Sequence, residues 1–310
     1  RYEWFEAYSM RNAGIPALVG TFTPDGITRP HMNVGMGHTF GSTTPHTYWF
    51  YDGKPAVTRG WWQGFYDGWH YFDGSVSAVE NGWVLDKGNW YWMDSTSNMA
   101  VNTWIQDGDK WYWMDESGHM LRGGWHRISG TWYYLTGSGA MATGWLNDRG
   151  SWYYLHASGK MGQAWVHDGT GWYWMDPSSG RMDAGGWRNI WGSWYYLSGS
   201  GKAVEGWMLD RGSWYYMQPG IAQMRTGWIN DGTGWFLLSN SGAMRSGGWV
   251  QDGGNWYWLD GNGKMLTGWL QTGGAWYWLS PDNGRMATGT VTVDGRASQF
   301  APSGRWLGYA

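Results

Sequence analysis

The stretch Gly144-Trp145-Leu146-Asn147-Asp148-Arg149-Gly150-Ser151-Trp152-Tyr153-Tyr154-Leu155 decides the fold of this chain. It opens on Gly-Trp and turns through Asn147-Asp148-Arg149-Gly150. It then runs on as Trp152-Tyr153-Tyr154-Leu155 and reaches Met161 before the next tryptophan, Trp165. Asp and Gly between two short apolar runs are hairpin chemistry, so the stretch predicts two antiparallel strands joined by a tight turn. A single hairpin is marginal in water and has to bury its apolar face against neighbours.

The chain supplies those neighbours. Units of the same pattern open at Trp61, Trp83, Trp104, Trp125, Trp145, Trp165, Trp187, Trp207, Trp228, Trp249 and Trp269. Successive intervals are 22, 21, 21, 20, 20, 22, 20, 21, 21 and 20 residues, and a fixed period of this size marks a solenoid-like array. A second tryptophan follows at plus seven: Trp90, Trp111, Trp132, Trp152, Trp172, Trp194, Trp214, Trp235, Trp256 and Trp276. The first unit places Trp69 at plus eight and carries His70-Tyr71 in a shifted frame.

The strand after the turn alternates between two faces. The tryptophan at plus seven shares one face with an aromatic at plus nine, such as Trp113, Tyr134, Tyr154, Trp174, Tyr196, Trp258 or Trp278. The other face carries Tyr at plus eight (Phe236 once) and Leu or Met at plus ten, including Leu135, Leu155, Leu197, Leu259 and Leu279. That second face is the expected core, buried by stacking one unit on the next. The fold class that follows is all-β, a solenoid of stacked β-hairpins with a short irregular N-terminal segment.

The ends depart from the pattern. In residues 1–45, Tyr2, Phe5 and Tyr8 have a helix-like spacing that Gly14-Ile15-Pro16 breaks. This segment reads as a cap or as the tail of an upstream domain, the cap being preferred. Tyr48-Trp49-Phe50-Tyr51 stand 13 residues before Trp61, where a second strand belongs. The repeat array is therefore expected over 46–289. Thr290 replaces the opening tryptophan, so 290–310 reads as a degenerate C-terminal capping repeat.

Composition narrows the function. The 310 residues include 32 Trp, 20 Tyr and 53 Gly, an excess that suits half-buried aromatic surfaces and tight turns. Twenty-one basic against 24 acidic residues leave a net charge of -3, with no basic stripe for nucleic acid. No apolar run approaches the roughly 20 residues of a membrane span, so no membrane insertion is expected. With no cysteine, disulfides and thiolate metal sites are excluded. The chain starts at Arg1 without a signal peptide, as a fragment or processed product would.

Catalysis finds no support. None of the eight histidines recurs at a fixed repeat position, and His31, His38 and His46 match no metal-ligand spacing. Asp107, Asp148 and Asp231 sit in hairpin turns, where Asp bonds local backbone. No nucleophile elbow, zinc-protease helix or phosphate loop is present, and no carboxylate pair can be nominated for glycoside cleavage. The expectation is a protein without enzymatic activity, cofactor or metal, though a catalytic domain upstream is conceivable.

Repeated paired tryptophans on a face not needed for the core would form clefts walled by rings. Such clefts suit a quaternary ammonium held by cation–π attraction, or a sugar stacked on indole. The unit running from Gly130-Thr131-Trp132 to Gly144-Trp145 resembles the choline-binding repeats of Gram-positive surface proteins, autolysins and phage lysins. The same broad superfamily includes glucan-binding repeats and the repeats of clostridial toxins. The resemblance covers 46–310 and implies a solenoid of hairpins with choline held between neighbours by two aromatics from one, a third from the next, and often a Met.

Carried onto this chain, the resemblance implies ligand-facing pairs Trp61/Trp69, Trp83/Trp90, Trp104/Trp111, Trp125/Trp132, Trp145/Trp152, Trp165/Trp172, Trp187/Trp194, Trp249/Trp256 and Trp269/Trp276. Third walls are expected from the plus-nine aromatics Trp113, Tyr134, Tyr154, Trp174, Tyr196, Trp258 and Trp278. Trp174 would serve Trp145/Trp152, Tyr134 would serve Trp104/Trp111, and Trp278 would serve Trp249/Trp256. Met141, Met161, Met244 and Met265 match the Met position, and Ala203 replaces it in the Trp187 unit. Leu237 at plus nine predicts an open or empty site at Trp207/Trp214.

The partner so implied is a choline- or phosphocholine-decorated teichoic acid, bound extracellularly at the cell wall. A glycan polymer, or a purely structural stalk, is the alternative.

Overall fold

The computed structural model describes residues 34–37, 48–51, 54–55, 59–63, 68–74 and 78–310. The expected helix-like turn at Tyr2–Tyr8 and the histidines at 31, 38 and 46 lie outside the described residues. Among the described residues every regular element is a strand, and the strands pair antiparallel in successive separate sheets of two or three. The quoted stretch is one such hairpin, Gly144–Asp148 with Ser151–Leu155.

Two compact units are distinguished: Arg1–Leu146 with Leu155–Met161, and Asn147–Tyr154 with Gly162–Ala310. In the first, Tyr48–Tyr51 forms a strand where one was expected. It lies between Val34–Gly37 and Lys54–Pro55 in a three-stranded sheet, so its partners precede and closely follow it. Hairpins opening at Trp61, Trp83, Trp104 and Trp125 follow. The second unit holds hairpins opening at Trp165, Trp187, Trp207, Trp228, Trp249 and Trp269. It ends in a three-stranded sheet of Gly289–Val293, Arg296–Phe300 and Trp306–Tyr309.

Turn chemistry explains the hairpins. In the Trp83 hairpin Lys87 and Gly88 have φ of 47° and 85°, the left-handed pair of a type I′ turn, whose twist matches that of the flanking strands. Two hairpins use a longer Asp-Gly-Thr-Gly loop instead. There the Asp168 and Asp231 carboxylates accept from the backbone and hydroxyl of the threonine two residues on, at 2.7–2.8 Å.

From the Trp83 unit onward the plus-ten residue is among the most deeply buried: Met114, Leu135, Met175, Leu197, Met217, Leu259 and Leu279 are fully enclosed. Burying such a side chain contributes about 1.5–3 kcal/mol, repeated at every unit. It forms a β-bridge with the methionine six or seven residues on, as in Leu135–Met141 and Leu259–Met265. That methionine also stitches one hairpin to the one before. The Met141 amide donates to the Trp111 carbonyl at 2.7 Å, and the Met265 amide to Trp235 at 2.8 Å. A hairpin leaves unpaired carbonyls along its edge, and these bonds satisfy them.

The methionine side chain then lies over a glycine of the next hairpin's loop. A Cβ on Gly139 would stand 2.5 Å from Met120 Sδ, and Gly139 has a φ of +89°. Close approach and left-handed backbone both require glycine there.

Candidate functional site

The opening tryptophan of each unit is the pivot of the aromatic contacts. Across its own hairpin it faces the plus-nine residue: Trp104 and Trp113 at 5.3 Å, Trp165 and Trp174 at 5.3 Å, Trp269 and Trp278 at 5.2 Å. Towards the following hairpin it meets the plus-eight tyrosine. Trp83 is 4.9 Å from Tyr112, Trp104 is 4.9 Å from Tyr133, Trp187 is 4.8 Å from Tyr215, and Trp249 is 4.9 Å from Tyr277.

Three open cavities show what this arrangement encloses. A cavity of about 360 Å³ is lined by Trp187, Trp194, Tyr215, Met224, Asn240 and Ser241. Another, of about 290 Å³, is lined by Trp228, Trp235, Tyr257, Met265, Asp282 and Asn283. The third, of about 270 Å³, is lined by Trp269, Trp276, Trp306 and Tyr309. In the first two, the two tryptophans come from one hairpin, the tyrosine and methionine from the next, and the polar rim from the one after that. Trp187 and Trp194 stand at 80° with centroids 6.5 Å apart, so the walls form a corner.

The third wall therefore differs from the expectation. Strand parity assigned the plus-eight tyrosine to the core and the plus-nine aromatic to the cage. In the structure Tyr133, not Tyr134, faces Trp104, and Tyr134 packs at 5.3 Å on Trp125 of its own hairpin. Likewise Tyr277, not Trp278, faces Trp249. Tyr133 and Tyr257 are indeed buried, but one edge of the plus-eight ring closes a cavity as well. Trp174 lies against Trp165, Tyr196 against Trp187 and Trp258 against Trp249, each within its own hairpin.

The remaining expected residues fall as follows. Trp61 packs on Tyr91 at 4.6 Å, and Trp83 on Trp90 at 6.3 Å. Trp69, Trp111, Trp132, Trp152, Trp256 and Trp276 are exposed. Trp145 is in the strand Gly144–Asp148, and Tyr154 is in Ser151–Leu155. The Met161 amide bonds the Trp132 carbonyl at 2.9 Å, and Met141 and Met244 lie over Gly159 and Gly263. At Trp207 the plus-eight ring of the next hairpin is Phe236, 4.9 Å away, and Leu237 is buried. His70 is fully buried and bonded to Ser97 at 2.8 Å.

Sequence reading missed a carboxylate. The indole N–H of the opening tryptophan donates to an Asp in the following hairpin: Trp61 to Asp86, Trp83 to Asp107, Trp187 to Asp210, Trp207 to Asp231 and Trp228 to Asp252, at 2.9–3.1 Å. The signal was present as an Asp 23–25 residues after a repeat-opening Trp, but local turn bonding explained it too readily. Asp231 does both, one oxygen serving the Thr233 turn and the other Trp207. Burial alone would raise its pKa, but the Trp207 indole, the Thr233 donors and the Gly234 amide outweigh it and hold the carboxyl below its usual range. The bond fixes the indole edge-on and places negative charge behind it.

Successive β-hairpins whose rings meet to wall small open cavities define a repeat-built binding module. Models of the choline-binding repeat match residues 123–164 and 246–291, and models of a cell wall binding repeat match 81–96, 102–120, 164–182, 185–203 and 226–244. Choline-binding protein CbpJ from Streptococcus pneumoniae TIGR4 is 32% identical with a TM-score of 0.64, over 80% of this chain and 100% of that one. Choline binding protein F from the same species is 28% identical with a TM-score of 0.64, over 81% and 99%. A structure of CbpF in complex with ipratropium by soaking is 27% identical with a TM-score of 0.60, over 81% and 99%. No curated protein sequence matches the chain. The chain belongs to the choline-binding repeat family.

Proposed function

We propose that this chain is a non-catalytic anchor that holds choline groups of a cell-wall polymer, outside the cell, in the aromatic cages between consecutive hairpins. The observation that carries the reading is the open cavity of Trp187, Trp194, Tyr215 and Met224, whose Trp187 edge is bonded to Asp210. Ring faces set at a corner attract a compact cation from several sides, and the carboxylate adds to the field. A flat sugar would need coplanar stacking platforms, which the 80° Trp187–Trp194 corner does not provide. The soaked complex of CbpF with ipratropium, a quaternary ammonium compound, supports the same ligand class.

Three walls at roughly 0.5–2 kcal/mol each give about 2–6 kcal/mol before the ligand is immobilised. That corresponds to about millimolar binding per cage. Useful affinity then comes from a polymer engaging many cages at once, for which choline-decorated teichoic acid has the right chemistry. Isothermal titration with choline is expected to show several weak sites, one fewer in the W187A/W194A variant. Absence of saturation at tens of millimolar, on the order of ten times the affinity argued above, would sink the choline reading.

A further inference from the structure

The last cage is built differently from the others. The unit after the Trp269 hairpin departs from the repeat: Thr290 replaces its opening tryptophan, and Ser298 stands where the plus-eight tyrosine belongs. The C-terminal strand Trp306–Tyr309 takes over the wall: Trp306 lies 5.6 Å from Trp269 at 76°, and Tyr309 lies 5.4 Å from Trp306. Four rings and no methionine enclose the cavity.

Its charged neighbours also differ from those of the two other cavities. The Trp187 and Trp228 cages are each backed by a carboxylate, Asp210 and Asp252. At the matching position of the last cage stands Val293, which is buried. Instead, the Arg296 guanidinium lies 5.4 Å over the ring of Tyr309, one wall of the cavity. A cation there opposes a second bare cation and attracts an anionic group tethered to it.

We propose that the C-terminal strand completes a ligand site of its own, and that Arg296 makes this site prefer a zwitterionic ammonium such as phosphocholine over free choline. The ammonium sits among Trp269, Trp276, Trp306 and Tyr309, and the phosphate, two carbons and an oxygen away, turns towards Arg296. The inference rests on the choline reading above and adds ligand discrimination between cages.

The test is a heteronuclear NMR titration of the intact chain, following the Trp306 indole resonance, assigned by its loss in W306F. Choline and phosphocholine are titrated separately, with the Trp194 indole as internal reference. The expected result is saturation of Trp306 by both ligands, with phosphocholine about 3-fold tighter, the size of a solvent-exposed ion pair. Trp194 should show no such preference, and R296Q should remove the preference at Trp306 while leaving choline binding there. If Trp194 responds and Trp306 does not, the C-terminal strand forms no site and the inference fails while the choline reading stands. If the preference survives R296Q, Arg296 is not its cause. If neither indole responds to either ligand, the choline reading itself falls.

Discussion

The cages opening at Trp165 and Trp187 are neighbours in sequence and built on the same frame, yet one is covered and the other open. In the open one, Trp194 is 45% exposed and Met224 forms the floor, its side chain lying over Gly242. In the covered one, Ala203 stands in place of the methionine and Ala222 in place of the glycine, both fully or nearly fully buried with Leu197. Trp165, Trp172 and Tyr195 pack on that cluster. The loop that carries Ala222 is one residue longer than its counterpart, since Met217 to Met224 spans 7 positions and Leu238 to Met244 spans 6. Its Gly220 carbonyl accepts the Trp172 indole N–H at 2.9 Å, and its Gly220 amide donates to Glu205 at 3.0 Å. The Met–Gly pair has been exchanged for an Ala–Ala pair that fills the same place, and the repeat has turned a cavity wall into core.

The largest effect should separate these roles. W165A/W172A is expected to cost about 3 kcal/mol, the range of buried aromatic truncations, measured by urea unfolding, with the number of choline equivalents unchanged. W187A/W194A should instead lose an equivalent. Equal loss of choline from both variants would show that the covered cage is open in solution.

Next comes the exchanged pair. A203M, set against the Ala222 methyl, should destabilise by about 2 kcal/mol through overpacking, and A203M/A222G should recover most of it. A neutral A203M would mean that Ala203 and Ala222 do not compensate each other.

A smaller effect belongs to the open cage alone. D210A removes the acceptor of the Trp187 indole, a bond worth about 1 kcal/mol, and should weaken choline there several-fold by NMR titration. D210N can still accept that N–H and should lose less. No equivalent exists at Trp165, where the matching residue is Ile190.

The smallest concerns the joint between the two hairpins. The Asp183 amide bonds Trp174, while its carboxylate takes the Arg188 guanidinium in a forked pair at 2.6 and 2.8 Å. The Arg188 hydrogen bonds hold Asp183 below its usual pKa, against the opposing effect of burial. A lowered folded pKa contributes stability that is complete above about pH 4 and is lost as the pH falls through the folded value. The gap in urea midpoint between wild type and D183N should thus be constant near neutrality and narrow in acid. A gap that widens in acid would reverse the sign.

One residue at the same joint is set apart by its backbone. Trp191 holds a turn position at φ +52° with 75% of its surface exposed, where most other units place Lys, Ser, Arg or Gly. Its ring meets Trp174 edge-on at 5.1 Å, a contact that offsets part of the left-handed strain.

Much of the fold was legible in sequence because its determinants are local. The turns at Lys87-Gly88 and Arg211-Gly212 follow from two adjacent residues, and the burial of Leu135 and Leu259 follows from strand parity. The period announces stacking, since no hairpin can bury that face alone. The C-terminal sheet was less legible, because nothing in Arg305-Trp306-Leu307 says that Trp306 turns back onto Trp269.

The cages were half legible for the same reason. Their two tryptophans lie seven residues apart on one hairpin, so local spacing alone fixes that pair. Their third wall, floor and rim come from the next two hairpins, and parity only says that Tyr133 and Tyr134 face opposite ways. Which of them meets Trp104 depends on how one hairpin docks on the next, set by methionine amides bonding tryptophan carbonyls and by the buried plus-ten side chains. The same docking decided that Ala203 and Ala222 share one space and that Gly220 covers Trp172. Local chemistry specified the hairpins; only contacts between residues 20 to 55 positions apart, such as Trp172 with Gly220 at 48, specified which cavities stand open.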